Sequence, residues 1–244
     1  MTGTTTPHRK LPRLHQQAGL AASTLIELDR ARAHYLLDVM RKKVGDQVRL
    51  FNAEDGEWLA SISDTGRKSC QLKVDEQLRE PAEEPGPTLL FAPIKKSRLD
   101  WLIEKATELG VGRLMPVRTK RTIVDKVNAE RLNAIAIEAA EQCERLTVPE
   151  IQQLQTLEQA LTNWPNNCQL YVADETGGGT PLLQAIGPER SVAFLVGPEG
   201  GFDPVELERL GEHPTVVKVD LGPRILRAET AGMVALAFWN GITI

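Results

Sequence analysis

The residues whose types and spacing could do chemistry lie toward the C-terminal end of this 244-residue chain. Gly197-Pro198-Glu199-Gly200-Gly201-Phe202 places three glycines within five residues. Such a loop lets backbone approach a ligand closely and offers its N–H groups. A second stretch runs from Leu221 to Ala231, Leu-Gly-Pro-Arg-Ile-Leu-Arg-Ala-Glu-Thr-Ala. Gly222 and Pro223 force a turn, and Arg224 and Arg227 flank Ile225 and Leu226 in what should be a loop. Apolar side chains on a loop need something to pack against. Together the two loops could enclose a flat ring between backbone amides and apolar side chains. A third loop, Gly177-Gly178-Gly179, lacks the G-x-G-x-x-G spacing of a dinucleotide site and reads as a connection. None of the three carries the Gly-Lys-Ser/Thr of a phosphate-binding P-loop. Upstream, Glu138, Glu141, Gln142 and Arg145 fall at i, i+3, i+4, i+7 and share one helix face. That face is either a solvated stripe or a row of groups aimed at a substrate.

The elements that must position these residues follow from periodicity. From Thr88 onward short apolar strands alternate with helices, the pattern of an α/β layer with a mainly parallel sheet. Strands are expected at Thr88 to Ala92, Arg113 to Val117, Gln169 to Ala173, Ser191 to Val196 and Thr215 to Leu221. Helices are expected from Ser97, with Asp100 in a capping-box-like start, to Leu109, and over Ala129 to Glu144, Thr156 to Asn163 and Pro181 to Ile186. A further helix is capped by Asp203 with Pro204 and Glu206 and stops at Gly211. The last runs from Glu229 to Trp239. Such sheets bind ligands at the carboxyl ends of their strands, where both glycine loops fall.

The first ~75 residues read differently. Thr24 to Leu28 is β-prone, and Asp29 caps a helix to about Lys42 with Ala33, Leu36, Leu37 and Met40 on its buried face. Gln47 to Asn52 and Glu57 to Ser63 form a hairpin, with Trp58, Ala60 and Ile62 alternating, and Ser69 to Glu76 alternates again. Met1 to Gln17 is polar, basic and without the apolar core of a secretory signal, and reads as a tail. Arg79 to Pro87 carries three prolines and three glutamates and reads as a linker. The chain thus divides into a small β-rich domain at 1–80 and an α/β domain at 88–244.

Composition narrows the partners. Hydrophobic residues make up 41% and charged residues 25%, ordinary for a globular protein. No apolar run approaches the roughly 20 residues of a membrane span. Cys70, Cys143 and Cys168 fit neither a disulfide framework nor a zinc spacing, so no metal and a cytoplasmic location are expected. The net charge of −4 argues against a uniformly basic surface. Yet Arg9, Lys10 and Arg13 cluster, as do Arg41 to Lys43, Lys95, Lys96 and Arg98, and Arg118, Lys120, Arg121 and Lys126, which favours an anionic partner.

Val196 to Phe202, Leu221 to Ala231, Glu104-Lys105-Ala106-Thr107-Glu108-Leu109-Gly110-Val111 and Glu138-Ala139-Ala140-Glu141-Gln142 together resemble the RsmE family. These are small-subunit ribosomal RNA methyltransferases of the SPOUT superfamily, acting on N3 of a uridine. The likeness covers nearly the whole chain, down to Pro12-Arg13 and Val44-Gly45-Asp46. It implies a PUA-like RNA-binding β-barrel followed by an α/β methyltransferase domain tied in a deep trefoil knot. It implies S-adenosyl-L-methionine as cofactor, contacted by Leu195, Gly197, Glu199, Gly200 and Gly201 of one loop and Leu221, Gly222, Ile225 and Leu226 of the other. It implies a homodimer acting on 16S ribosomal RNA in the small subunit. Methylating N3 requires loss of its proton, so a base or charge-stabilising groups are needed. Glu141 or Glu229 is the candidate base, and Arg145 or Arg227 the candidate partner of uracil oxygens or phosphate. Two other readings stay open: a related enzyme acting on tRNA or on ribose 2′-oxygen, and a non-catalytic RNA-binding assembly factor.

Overall fold

The computed structural model describes residues 8–17, 19–162, 164–187 and 191–243. Met1 to Pro7 of the expected tail and Asn163 of an expected helix lie outside them. The chain divides into two compact units, Met1–Glu83 with Glu141–Thr147, and Glu84–Ala140 with Val148–Ile244.

The first unit is a five-stranded sheet. Its strands are β1 (Arg13–His15), β2 (Leu25–Glu27), β3 (Gln47–Asn52), β4 (Gly56–Thr65) and β5 (Cys70–Arg79), in the order β1-β3-β4-β5-β2. β1 corrects the reading of Met1 to Gln17 as a tail: it pairs in parallel with β3, Leu14 opposite Leu50. Its basic residue is no solvated charge either. Arg13 is buried, its guanidinium 3.4 Å from the centre of the Phe51 ring. Alternation along β4 and β5 buries Ala60, Ile62, Cys70, Leu72 and Val74 against Leu14, Leu36, Val48 and Leu50.

Asp29 caps α1 (Arg30–His34) by accepting from the Ala31 and Arg32 amides. The helix does not continue to Lys42 as an α-helix. It widens into a π-helical turn over Tyr35–Val39, closed by the Met40 N–H to the Tyr35 carbonyl at 2.9 Å. The extra residue in that turn shifts the expected face. Ala33 and Leu36 are buried, but Met40 is exposed.

At the centre of this unit the fully buried Glu57 meets three guanidinium groups: Arg13 Nε at 3.2 Å, Arg49 Nη1 at 2.9 Å and Arg79 Nη1 at 3.2 Å. The same arginines hold the segment around Glu144. Arg49 Nη2 donates to Glu144 Oε1 at 3.1 Å, Arg79 Nη1 to the Glu144 carbonyl at 2.8 Å, and Arg13 Nη2 to the Arg145 carbonyl at 2.6 Å. Burial lowers the Arg13 pKa to about 10 against the pull of Glu57, so the group stays charged at neutral pH.

The second unit is a parallel sheet. Its main strands are β6 (Thr88–Phe91), β7 (Arg113–Arg118), β10 (Gln169–Ala173), β12 (Val192–Val196) and β13 (Val216–Asp220). The short β8 (Glu150–Ile151), β9 (Gln155–Thr156) and β11 (Thr180–Pro181) sit at its edges. The order is β11-β13-β10-β12-β6-β7-β8, with β9 also on β7. Both faces are covered, which is why these strands read as continuous apolar runs. Leu89, Phe91, Tyr171, Phe194 and Val196 enter one core with Leu102 and Ile103. Leu90, Leu170, Val172, Ala193 and Leu195 enter the other with Phe202 and Leu210.

The helices are α2 (Lys96–Glu108), α3 (Ala129–Cys143), α4 (Leu157–Thr162), α5 (Leu182–Ala185), α6 (Pro204–Glu212) and α7 (Ala228–Thr243). α6 has the expected capping box of Asp203 and Glu206, with Pro204 in the first turn. The Asp203 carboxyl is held below its usual pKa, chiefly by the hydrogen bond from Lys120. α2 starts one residue earlier than expected, at Lys96, with no side-chain cap. Asp100 is not a capping partner because it pairs with Arg131 on α3.

Candidate functional site

Strands β13, β10 and β12 are neighbours and run parallel, so the loops leaving their carboxyl ends emerge side by side. These are the loops at 174–179, 197–203 and 221–227. With the start of α2 they surround a cavity of about 610 Å³, in the size range of small-ligand sites.

The glycine loop after β12 is built for close approach. The Gly201 N–H returns to the Pro198 carbonyl at 2.9 Å, a tight turn. Gly201 holds φ +68, and a Cβ there would collide with the Glu175 carboxylate. Only glycine meets both demands at no steric cost. At Gly197 a Cβ would lie 2.9 Å from the Phe202 ring, which is buried beneath the loop. Glu175 Oε1 in turn accepts the Phe202 N–H at 3.0 Å. Arg121 Nη1 donates to the Gly200 carbonyl at 3.0 Å, and Lys120 Nζ reaches Asp203 Oδ1 at 3.1 Å.

The loop after β10 folds on itself, Asp174 Oδ1 accepting from the Thr176 N–H and hydroxyl at 2.9 and 2.7 Å. After β13, Asp220 Oδ1 accepts the Gly222 N–H at 2.9 Å. Beyond it Ile225 stands 89% exposed, an apolar side chain on the cavity wall rather than in the core.

Charge at the rim is mixed. Lys95, Arg98, Arg224 and Arg227 line the cavity, and so do Glu175, Glu199 and Asp220. Arg98 pairs with Glu199 on the glycine loop, and its Nε lies 3.7 Å from Glu229 Oε1 at the start of α7. Glu229 is 8% exposed, and its Oε2 has no hydrogen-bond partner.

Of the residues singled out from sequence, Gly197, Glu199 and Gly201 line the cavity, as do Leu221, Gly222, Ile225, Leu226 and Arg227. Leu195 is buried in the core below. Gly200 and Glu229 border cavity-lining residues without lining it themselves. Glu141 and Arg145 belong to the first unit. There Glu141 Oε1 accepts the His15 N–H at 3.0 Å, and the buried Arg145 donates from Nη2 to Thr147 Oγ1 at 2.9 Å.

Sequence reasoning missed two contributors. Gly177 does line the cavity, together with Asp174, Glu175 and Thr176. Judging that loop by dinucleotide spacing alone discarded it; its place after a strand was the usable signal. Lys95 and Arg98 were visible only as members of a basic cluster. Among the described residues no group of three or more His, Cys, Asp or Glu lies together to hold a metal ion. No described helix is long and apolar enough to cross a membrane.

Two family models match the chain: an RNA methyltransferase domain over residues 82–240 and an RNA methyltransferase PUA domain over residues 28–75. Among curated relatives, ribosomal RNA small subunit methyltransferase E of Rickettsia conorii is 38% identical over 231 residues, covering 93% of this chain and 94% of the relative. Among solved structures, the ribosomal RNA small subunit methyltransferase E of Neisseria gonorrhoeae bound to S-adenosyl methionine superposes with a TM-score of 0.86 at 26% identity, covering 95% of this chain and 98% of that one. A putative methyltransferase of Legionella pneumophila in complex with the same cofactor gives 0.83 at 29% identity, covering 96% and 98%.

Proposed function

This chain belongs to the small-subunit ribosomal RNA methyltransferase E family, and from that premise we propose that it transfers the methyl group of S-adenosylmethionine to N3 of a uridine in 16S ribosomal RNA. The observation that carries the reading is the cavity framed by the loops after β10, β12 and β13.

The residues present fit that cofactor. Leu221, Ile225 and Leu226 supply an apolar wall for an adenine ring, and Gly197, Gly201 and Gly222 let backbone approach it. Gly200 belongs to the same loop as Gly197 and Gly201, and Leu195 on β12 is its buried footing. The rim carries both signs of charge, which suits a ligand with an ammonium, a sulfonium and a carboxylate. Bound there, S-adenosylmethionine supplies a methyl group activated by its sulfonium sulfur.

The chain's own residues handle the proton and the charge. N3 of uracil lies on the Watson–Crick edge, so the base enters unpaired or flipped. Glu229 is the base candidate that the site supports best, because its buried Oε2 is an acceptor without a donor. It takes the N3 proton; the freed N3 electron pair forms the N–C bond as the sulfur–carbon bond breaks. Arg227, on the cavity wall, faces the negative charge that spreads onto the uracil oxygens. Glu141, whose Oε1 accepts the His15 N–H, is the alternative base, and Arg145 the alternative partner of uracil oxygens or phosphate. The trefoil knot and the homodimer are inferred from membership of the family alone. A substrate in the ribosomal small subunit would be met in the cytoplasm.

The test is methyl transfer from labelled S-adenosylmethionine to small subunits from a strain lacking the gene, followed by nucleoside mass spectrometry. The expected product is 3-methyluridine in 16S RNA. A 2′-O-methylated nucleoside, or label in tRNA alone, would overturn the target. Calorimetry showing RNA binding without S-adenosylmethionine binding would favour an assembly factor.

A further inference from the structure

A segment to which the reaction assigns no role is clasped onto the glycine loop. It follows β7, at residues 119–126. β7 lies next to β6, and β6 next to β12, all parallel. The loops at the carboxyl ends of β7 and β12 therefore leave the same edge of the sheet. Val117, near the end of β7, shares a core with Leu195 and Phe202 under the glycine loop. The segment is closed on itself: Arg118 Nη2 donates to the Asp125 carbonyl at 2.8 Å, and the Thr119 N–H to Thr122 Oγ1 at 2.9 Å.

Three bonds tie this segment to the glycine loop and the start of α6. The Lys120 N–H donates to Glu206 Oε1 at 2.7 Å, Lys120 Nζ to Asp203 Oδ1 at 3.1 Å, and Arg121 Nη1 to the Gly200 carbonyl at 3.0 Å. The last bond pins the peptide between Gly200 and Gly201 from outside. The N–H of that same peptide is held by the Pro198 carbonyl. Glycine on both sides leaves a peptide free to turn over, and the two bonds fix both of its polar ends. A guanidinium has five N–H donors. Lys120 is matched by Asp203, but Arg121 is exposed and forms no ion pair among the described residues.

Resting on the reading of the substrate as RNA, we propose that Arg121 couples substrate to cofactor: one arm holds the Gly200 carbonyl while the other takes an RNA phosphate beside the uridine being methylated. The planar fork of a guanidinium, with donors diverging in fixed directions, suits that bridge. The phosphate orders a side chain that is otherwise exposed and so firms its hold on the loop. The loop is then set before S-adenosylmethionine arrives, and each ligand tightens the other by the same factor. The effect on the cofactor passes through Gly200, which borders the cavity without lining it.

The experiment measures the affinity of the full chain for labelled S-adenosylhomocysteine, which has no methyl group to transfer. Equilibrium dialysis is run with and without small subunits from a strain lacking the gene, at concentrations that saturate each variant. In the natural chain the subunits should tighten binding about tenfold, an ordinary coupling between two sites. Arg121→Gln keeps a donor for Gly200 and loses the charge. Without subunits its affinity should stay within about threefold of the natural chain, and with them it should tighten less than about twofold. Lys126→Ala removes a neighbouring cation that makes none of the three bonds, and should leave the tightening in place. Full tightening in Arg121→Gln would overturn the proposal, as would its loss in Lys126→Ala or its absence in the natural chain. A natural chain that binds no S-adenosylhomocysteine at all would sink the methyltransferase reading instead.

Discussion

Glu175 Oε1 accepts the Phe202 amide N–H at 3.0 Å and occupies the space that a side chain at residue 201 would need. One carboxylate thus ties the loop after β10 to the glycine loop after β12, and Gly201 is what allows the contact. Gly201→Ala adds the collision to the cost of a left-handed backbone, about 1–2 kcal/mol. We expect calorimetry to show S-adenosylmethionine affinity reduced at least about tenfold, equivalent to about 1.4 kcal/mol. Glu175→Gln keeps an acceptor oxygen and should lose less than Glu175→Ala. Equal affinities across the three would show that the tie does not shape the cavity.

Arg98 joins Glu199 on the glycine loop to Glu229 at the start of α7. If Glu229 takes the N3 proton, Glu229→Gln should lower kcat by about 10²-fold or more, the usual contribution of a positioned base. Cofactor affinity should stay within about threefold, because that carboxylate does not line the cavity. Arg98→Ala should lower kcat as well, and Arg98→Lys should restore part of it. Single-turnover rates separate these effects from product release. A Glu229→Gln chain with natural turnover would remove Glu229 from the mechanism.

How far the sequence could be read depended on whether a signal was local. The parallel sheet was legible because Leu89 to Phe91 and Val192 to Val196 are apolar without interruption, as strands covered on both faces must be. Asp203, Pro204 and Glu206 announced α6, since a capping box is written in four consecutive residues. The pairing of Glu199 and Gly201 with Leu221 and Ile225 around one cavity was legible from two loops following late strands. Arg13 was not legible. Three arginines around Glu57 come from β1, β3 and β5, and although Pro12-Arg13 shares in the family likeness, the residues around it do not foretell its burial. Glu175 was missed for the same reason, because its partner lies 27 residues away.

The Glu57 cluster makes its own prediction. Removing a buried charge strands its partners, at a cost of about 3–5 kcal/mol. Glu57 is the shared counter-charge of three guanidinium groups, two of them almost wholly buried. Glu57→Gln should therefore lower the urea-derived unfolding free energy by about that amount. Substitution of the exposed Glu54 should change it by less than about 0.5 kcal/mol, as at most surface sites. Similar values for the two would mean that the guanidinium groups find other partners or water.

His15 gives the first unit a dependence on acid. Its ring packs edge-on against Phe51 with centroids 5.4 Å apart, and its buried Nδ1 has no hydrogen-bond partner. Burial first, then Arg32 and Arg13, lower its pKa from 6.5 to about 4. The folded chain therefore resists protonation that the unfolded chain accepts. Between pH 6.5 and about 4 the unfolded state binds more protons, so stability falls as pH falls through that window. Below about 4 both states are protonated and this contribution stops changing. His15→Gln removes the titration while keeping a polar side chain. Thermal unfolding of both chains from pH 7 to 4 should show the natural chain losing more stability than the variant, with most of the difference arising below pH 6.5. Parallel curves would mean that the ring takes up its proton in the folded chain as readily as in the unfolded one.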